Sequence, residues 1–349
     1  MPASFSTIAK DAERCYALLK AIVAYSALTV TWHVRRFRKM VCADASASGE
    51  HRMSRRAVAG VLLCVLATPS QAAPQTFNTA LPVAKGEFVL REQLFSRRAK
   101  GGPRGANRDL HARGIVSVLG RGVARNLAVF GVLPYLDTTL DFTTPGGRLR
   151  RNTAGIGDAR LFGRYTFHRR DAQGRTFRIA AFFGVEMPTG DNEKRDSLGR
   201  LPAPLQPGSG SWDPFSGIVL TYQTLEYQID AQASYKINTT ANNFEFGDET
   251  RLDVSFQYRL RPRVLNDSGV PGYLYGVLEA SVRNRAKNKA DGRRDPNSGG
   301  TSVFLSPGIQ YVTKRWIVEG IIEIPLAQDL GGTALEDDYI VRVGFRVNF

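Results

Sequence analysis

The last twelve residues, 338–349, place apolar side chains at every second position. Alternation with a period of two indicates a β-strand with one dry face and one wet face. At the edge of a soluble sandwich, such a strand would leave unpaired backbone groups and an exposed aromatic terminus. In a transmembrane barrel the last strand closes against the first, and aromatic residues lie at the membrane interface. The segment therefore predicts an all-β fold: a transmembrane antiparallel up-and-down β-barrel.

Alternating segments of about ten residues recur from residue 86 onward, and this is the length that a tilted strand needs to cross a bilayer. They predict about twelve strands, an even number, as expected of a single-chain barrel. Connections after odd-numbered segments are longer than most of those after even-numbered ones, which places both chain ends in the periplasm. The predicted strands are 86–96, 110–119, 126–136, 157–168, 176–187, 215–223, 227–237, 250–260, 273–283, 302–312, 316–326 and 339–349.

The amino-terminal region is predicted to precede the barrel rather than to belong to it. Residues 53–73 have the features of a secretory signal peptide: basic residues, an apolar core, and small residues at the cleavage site. Residues 74–349 then form the outer-membrane barrel. We interpret residues 1–52 as an unstructured upstream extension or a misassigned translation start, with a long extended signal region as the alternative. The three cysteines, which would be absent from the barrel, are Cys15, Cys42 and Cys64.

Four of the predicted strands, 157–168, 176–187, 250–260 and 316–326, carry their charged residues on one face. A charge facing lipid near the midplane costs about 2–4 kcal/mol, so the charged face is assigned to the lumen. One interpretation is that the arginines form a ladder that selects anions. The alternative is that they pair with the acids and stiffen a barrel whose width lies between the filled and the open cases. The predicted pore-lining residues are Asp158, Arg160, Arg164, Arg178, Glu186, Glu319, Glu323, Arg342 and Arg346.

The connection 188–214 is long and rich in Pro and Gly. One interpretation folds it into the lumen as a substrate gate, with Trp212 as an aromatic contact. The alternative is an ordered turn at the rim, in which Asp213 caps backbone amides.

The carboxy-terminal strand also carries an expected assembly signal. The spacing of Arg342, Gly344, Val347 and Phe349 resembles the signal read by the outer-membrane assembly machinery. We therefore expect that machinery to be a partner of the protein.

The formal net charge of +15 favours polyanionic surroundings. For a secreted barrel the polyanion is the phosphorylated surface lipid. We therefore expect outer-membrane lipid, lipopolysaccharide and a small-molecule solute as partners, and no nucleic acid. Basic clusters in two outside loops, 97–108 and 285–294, suit lipid phosphates, although solvated surface charge is an equal alternative.

An outer-membrane enzyme or a structural barrel is the competing functional class. Catalysis by a nucleophile needs a base within hydrogen-bond reach. His111 and Ser117 are predicted on one inward face, six residues apart, which at about 3.3 Å per residue is too far for proton transfer. We therefore predict that the protein is not an enzyme and uses no cofactor or metal.

Four short motifs resemble a known family in their order and spacing. They are GIGD at 155–158, MPTGD at 187–191, PGSGSWDP at 207–214 and PGIQY at 307–311. Together they resemble the outer-membrane transporters named for the MetA pathway of phenol degradation, over most of the chain from about Phe77 to Phe349. The resemblance implies an outer-membrane channel of a Gram-negative bacterium, linked to the uptake of aromatic or hydrophobic compounds.

Overall fold

The computed structural model describes residues 72–264 and 272–349. The predictions for residues 1–52, for all but the end of the signal peptide and for the three cysteines lie outside the described residues. Within them, no helix has the length and apolar character needed to cross a membrane.

The described residues are almost entirely β-strand, with one 3-10 turn at Ala203–Leu205. In chain order the strands are β1 (Phe88–Gly101), β2 (Arg108–Ala124), β3 (Leu127–Thr144), β4 (Gly147–Ile156), β5 (Ala159–Ala172), β6 (Arg175–Met187), β7 (Arg195–Asp196), β8 (Gly199–Arg200), β9 (Asp213–Thr224), β10 (Tyr227–Lys236), β11 (Phe244–Glu245), β12 (Glu249–Arg261), β13 (Tyr273–Arg285), β14 (Lys289–Ala290), β15 (Arg293–Arg294), β16 (Gly300–Val312), β17 (Trp316–Leu330) and β18 (Leu335–Asn348).

Twelve long strands close into one antiparallel barrel. Neighbours along the chain pair with each other, and β1 pairs with both β2 and β18 to close the cylinder. The predicted fold class is confirmed, and each of the predicted strands overlaps one strand of the barrel. Closure matters because it leaves no unpaired strand edge in the membrane.

One predicted connection is wrong in part. The sequence predicts a loop at 137–156, whereas β3 continues to Thr144 and pairs with the whole of β4. Outward positions here are polar, such as Asp137, Thr139 and Asp141, so the apolar alternation that reveals the other strands is missing. β4 and β5 follow each other as one strand broken at Gly157 and Asp158.

The outward-facing side chains form an apolar belt around the barrel. On β12, Val254, Phe256 and Tyr258 are exposed, whereas Ser255 and Gln257 between them are fully buried in the interior. A continuous apolar surface of this kind is stable only in contact with lipid. The barrel is therefore a membrane barrel.

The interior has two chemically different walls. One wall, on β3, β5, β6 and β9, is apolar and aromatic; the other, on β10 to β17, is lined by acids and amides. The apolar wall includes Phe130, Phe162, Phe182, Phe215 and Val219, and the polar wall includes Asp230, Gln257, Glu279, Gln310 and Glu319.

Candidate functional site in the barrel interior

Residues 72–84, which precede β1, run through the barrel interior. The first contacts are with the side chain of Gln310 on β16. The backbone amide of Ala73 donates to Oε1 of Gln310 at 3.3 Å, and Nε2 of Gln310 donates to the backbone carbonyl of Ala73 at 3.0 Å. Glu279 on β13 then accepts from the Gln75 amide at 2.7 Å, and from the amide and hydroxyl of Thr76 at 3.2 and 2.5 Å. One buried carboxylate thus holds two consecutive residues of this interior segment.

The interior segment next crosses to the opposite side of the barrel. The Ala80 amide donates to the hydroxyl of Thr221 on β9 at 2.8 Å. On β5, Arg164 donates to the Leu81 carbonyl at 2.7 Å and Thr166 donates to the Ala80 carbonyl at 3.2 Å. The segment therefore spans the lumen and narrows it.

The composition of the interior segment explains these contacts. Residues 72–84 contain no charged side chain and two prolines. Because buried backbone groups must be paired, the barrel wall supplies their donors and acceptors. No motif in residues 72–84 predicts this role. Two indirect features of the sequence are consistent with a place inside the barrel. The residues directly before the first strand are uncharged, and the acids on the inward faces of the strands need hydrogen-bond donors.

A cavity of about 560 Å³ lies between the interior segment and the aromatic wall. The rings of Phe130 and Phe162 stack at a centroid distance of 4.8 Å, and Phe182 and Phe215 approach Phe162 edge-on at 6.3 and 5.9 Å. Such offset and edge-on contacts are favourable arrangements of aromatic rings. Arg160, Arg164, Arg178 and Arg346, all predicted to line the pore, also line this cavity.

Carboxylates lie beside two of these four predicted arginines, Arg160 and Arg178. Arg160 contacts Glu186, which also accepts from Lys236 at 2.6 Å. Arg178 lies 3.5 Å from Asp171, so two of the arginines face an acid. These contacts favour the ion-pair interpretation for Arg160 and Arg178.

Arg164 differs from the other arginines. Its guanidinium carbon lies 4.8 Å from the centre of the Phe130 ring, and its hydrogen bond goes to the Leu81 carbonyl. Cation–π contact and a neutral acceptor leave its positive charge less compensated than that of Arg160. Arg164 is therefore the strongest candidate for an anion-attracting group at this cavity.

Three of the remaining predicted pore residues, Glu319, Glu323 and Arg342, form ion pairs in the interior. Arg342 lies 2.5 Å from Glu323, which also contacts Arg283. Glu319 lies 2.5 Å from Arg91 on β1 and accepts from Gln310 at 2.8 Å. These pairs tie β13, β16, β17, β18 and β1 together across the inside of the barrel.

Asp158 occupies a different place from the other predicted pore residues. It lies at the break between β4 and β5 and accepts from the amides of Gly190 and Ser209 at 2.9 and 2.6 Å, and from the Ser209 hydroxyl at 2.8 Å. Asp158 therefore joins the two ends of the connection 188–214.

The connection 188–214, which we call the mouth loop, reaches across the loop end of the barrel. Leu201 and Leu205 are buried and pack with Ala99 on β1 and Leu110 on β2. Apolar contacts this far from the base of the loop indicate that it folds over the mouth rather than into solvent.

An ion pair also fixes the mouth loop to β4. Nε and Nη2 of Arg151 each donate to a carboxylate oxygen of Asp196 at 2.8 Å. The hydrogen bonds from Arg151 hold the pKa of Asp196 below its usual value. Bidentate pairing of this kind gives directional as well as electrostatic stabilisation.

The two predicted gate residues lie at the end of the mouth loop. Trp212 is 58% exposed, whereas Asp213 is fully buried. Asp213 accepts from the Thr239 amide at 2.8 Å and lies 3.4 Å from Lys236. Asp213 therefore anchors the start of β9, and the indole of Trp212 remains accessible.

The predicted assembly residues lie at the closing seam. Phe349 exchanges two backbone hydrogen bonds with Phe88, and their rings stack at 5.7 Å. Val347 pairs with both Leu90 and Trp316. Arg342 and Gly344 face the interior on the same strand.

The inward assignment of His111 and Ser117 is wrong. Ser117 donates to Glu92 at 2.7 Å on the outer face, and His111 lies 3.2 Å from Asp109 near the rim. The predicted inward face of β2 is displaced by one residue from the observed one. A displacement of one residue along a strand moves every side chain to the opposite face. Within the described residues, no group of three or more His, Cys, Asp or Glu side chains is placed to hold a metal.

The fold places the protein among the transmembrane β-barrels of the Gram-negative outer membrane. Residues 106–319 match the family described as the MetA-pathway of phenol degradation, and the chain belongs to that family. No curated protein matches its sequence.

A COG4313 outer membrane channel from Pseudomonas putida F1 shares the fold, with a TM-score of 0.59 and 12% identity, covering 80% of this chain and all of that one. The beta domain of the Bordetella autotransporter BrkA gives a TM-score of 0.41 at 15% identity, covering 76% of this chain and 100% of that one. The CymD monoaromatic hydrocarbon channel gives 0.34 at 11% identity, covering 76% and 89% of the respective chains. The last two likenesses are too distant to carry an argument.

Proposed function

We propose that the protein is an outer-membrane channel for small aromatic or hydrophobic solutes or their anions, which it passes without chemical change. The observation that carries this proposal is the aromatic wall of the internal cavity. Pores for hydrophilic solutes are lined by polar groups. Here four phenylalanine rings face the interior beside the basic side chain of Arg164. Such a surface suits a solute with an aromatic body and a small polar or anionic group.

Family membership supports the same proposal. The structural relative from Pseudomonas putida is itself an outer membrane channel. Its likeness is in the fold, so the solute class proposed here depends on the cavity of this chain.

Two elements narrow the route that a solute would take through the barrel. The interior segment crosses the lumen beside the cavity, and the mouth loop covers the loop end of the barrel. A solute can pass only if each element moves or leaves a gap beside it. We assign Trp212 as an accessible aromatic contact at the mouth and Asp213 as the anchor of the loop. In this scheme both walls hold the interior segment, and the part of the apolar wall that lines the cavity faces the solute.

Two further partners belong to the proposal. The terminal strand with Phe349 is the part that the outer-membrane assembly machinery would engage. Lipopolysaccharide phosphates would meet the basic loops. Several of those basic residues already have acidic partners: Arg97 lies 2.5 Å from Asp337, and Arg98 lies 2.7 Å from Asp109. The lipid contact would therefore involve the more exposed loop residues.

Liposome swelling tests the proposal directly. Protein purified from the outer membrane should admit phenol and benzoate faster than arabinose, a hydrophilic solute of similar size. Phe162→Ser and Phe182→Ser together should remove that preference, while Phe183→Ser, a matched change on the outer face of β6, should leave it in place. A preference for arabinose, or equal exclusion of all three solutes, would refute the proposed solute class.

A further inference from the structure

A second, smaller cavity lies at the loop end of the barrel. Its volume is about 110 Å³, and it is lined by residues of β1, β13, β16, β17 and β18 and their connections. Three guanidinium groups reach it, those of Arg97, Arg283 and Arg285, together with the single carboxylate of Asp337. The lining of this mouth cavity therefore contains three guanidinium groups and one carboxylate, and the carboxylates that pair with Arg283 and Arg285 lie outside the lining.

The ion pairs around the mouth cavity use only part of its hydrogen-bonding capacity. Nε of Arg97 lies 2.5 Å from Asp337, and Nε of Arg285 lies 2.7 Å from Glu249. Arg283 contacts Glu323. Each guanidinium has five N–H donors, so donors remain beyond those that these carboxylates accept. The side chains of Arg97 and Arg285 are 33% and 55% exposed, which leaves them open to a ligand.

The same cavity also has an apolar part. The Phe304 ring lies beneath the guanidinium of Arg283, with 4.5 Å between the guanidinium carbon and the ring centre. Leu330 and Leu335 complete this side of the lining. A ligand in the cavity would therefore meet both charged donors and apolar side chains.

We propose that the mouth cavity binds the carboxylate of a small aromatic or aliphatic acid arriving from outside the cell. Planar guanidinium groups match the two oxygens of a carboxylate and can bind it through parallel hydrogen bonds. Leu330 and Leu335 contact the apolar body, and the buried Phe304 ring supports the Arg283 guanidinium from beneath. The inference rests on the proposed function in one respect: the site would concentrate the anionic form of the solutes that the channel carries.

The alternative is that the three arginines have only a structural role and stabilise the rim of the barrel through their ion pairs. In that case the cavity is filled by water and has no preference among anions. The two possibilities differ in whether a carboxylate binds saturably and whether its apolar body matters.

Equilibrium dialysis with radiolabelled benzoate tests the inference on the detergent-solubilised protein. We expect saturable binding of benzoate, much weaker binding of the neutral isostere benzamide, and much weaker binding of inorganic phosphate, which lacks the apolar body. Arg97→Gln combined with Arg285→Gln should weaken benzoate binding about tenfold or more, because hydrogen bonds to charged groups are lost. Arg113→Gln, an exposed arginine outside the mouth cavity, is the matched control and should change nothing.

The inference is wrong if benzoate does not bind saturably, if benzamide or phosphate binds equally well, or if the double variant binds like the parent protein. Heat-modifiable gel mobility checks that each variant is folded. If Arg97→Gln fails to fold, Arg285→Gln alone decides the test, since its side chain is more than half exposed. Binding without solute flux would refute the channel and leave the site standing, whereas flux with no benzoate binding would refute the site alone.

Discussion

Glu319 on β17 reaches across β18 to Arg91 on β1, with 2.5 Å between Oε1 and Nη2. The ion pair passes over Gly344, where an added Cβ would lie 2.7 Å from Oε1 and 2.9 Å from Cγ of Glu319. Arg91 also donates to the carbonyl of Gln75 at 2.6 Å. One pair of charges thus connects the closing seam of the barrel with the segment inside it.

Gly344→Ala should destabilise the closing seam. The new methyl group forces Glu319 away from Arg91 and leaves two interior charges poorly paired, so we expect a loss of about 1–3 kcal/mol. Heat-modifiable gel mobility during a temperature ramp measures the change. Gly320→Ala on β17 is the matched control, because its nearest new contact is at 3.9 Å. Equal behaviour of the two variants would contradict this account of Gly344.

Glu279→Ala should release the interior segment. The substitution removes the acceptor of three hydrogen bonds from Gln75 and Thr76. Buried donors without a partner cost about 1–3 kcal/mol each, so the segment should leave the lumen more often. We expect a higher single-channel conductance and faster protease cleavage near residue 76, with Ser281→Ala on the same strand as the control. Unchanged conductance and cleavage would show that Glu279 does not hold the segment.

Acid should loosen the mouth loop. The pKa of Asp196 is lowered by its hydrogen bonds with Arg151. Its stabilisation is therefore complete above the unfolded value of about 3.9 and is lost as the pH falls through the lower folded value. We expect larger conductance fluctuations below about pH 4, and Asp196→Asn should show them already at pH 7. If the variant at pH 7 conducts like the parent protein, the ion pair does not hold the loop.

Arg164→Gln should reduce anion preference more than Arg160→Gln does. Arg160 contacts Glu186, whereas the hydrogen bond of Arg164 goes to the Leu81 carbonyl and its charge lies over Phe130. Fixed charge in a narrow channel raises the local concentration of counter-ions. Reversal potentials in a salt gradient measure the anion preference of the two variants. Each variant carries the same substitution of arginine by glutamine, so each is the control for the other. An equal shift, or a larger one for Arg160→Gln, would mean that pairing with carboxylates does not set the selectivity.

Phe349→Asp should prevent assembly. The change removes the ring stacked on Phe88 and puts a charge at the membrane interface beside the seam. We expect unfolded protein in the periplasm and little heat-modifiable material in the outer membrane, while Phe349→Tyr keeps a ring there and should assemble. Normal yield of the Asp variant would remove Phe349 from the assembly signal.

The sequence alone determined the barrel and most of its strands. Each strand faces lipid on one side and the lumen on the other, so apolar and polar residues alternate with a period of two. Strands such as β12 show this alternation at every position. The same rule failed where the lipid ends, because the upper part of β3 and β4 is polar on its outward face. It also failed by one position on β2, where Ser117 and Glu92 form a polar pair on the outer face.

Only the tertiary structure decided which side chains meet in the interior. Gln75 and Glu279 are 204 residues apart and become partners because the segment before β1 runs into the closed barrel. Barrel closure likewise brings Arg91 to Glu319, and the fold of the mouth loop brings Asp196 to Arg151. These pairings depend on register and on the path of the chain through the lumen. A local pattern of alternation fixes the face on which a residue lies and carries no information about what lies opposite.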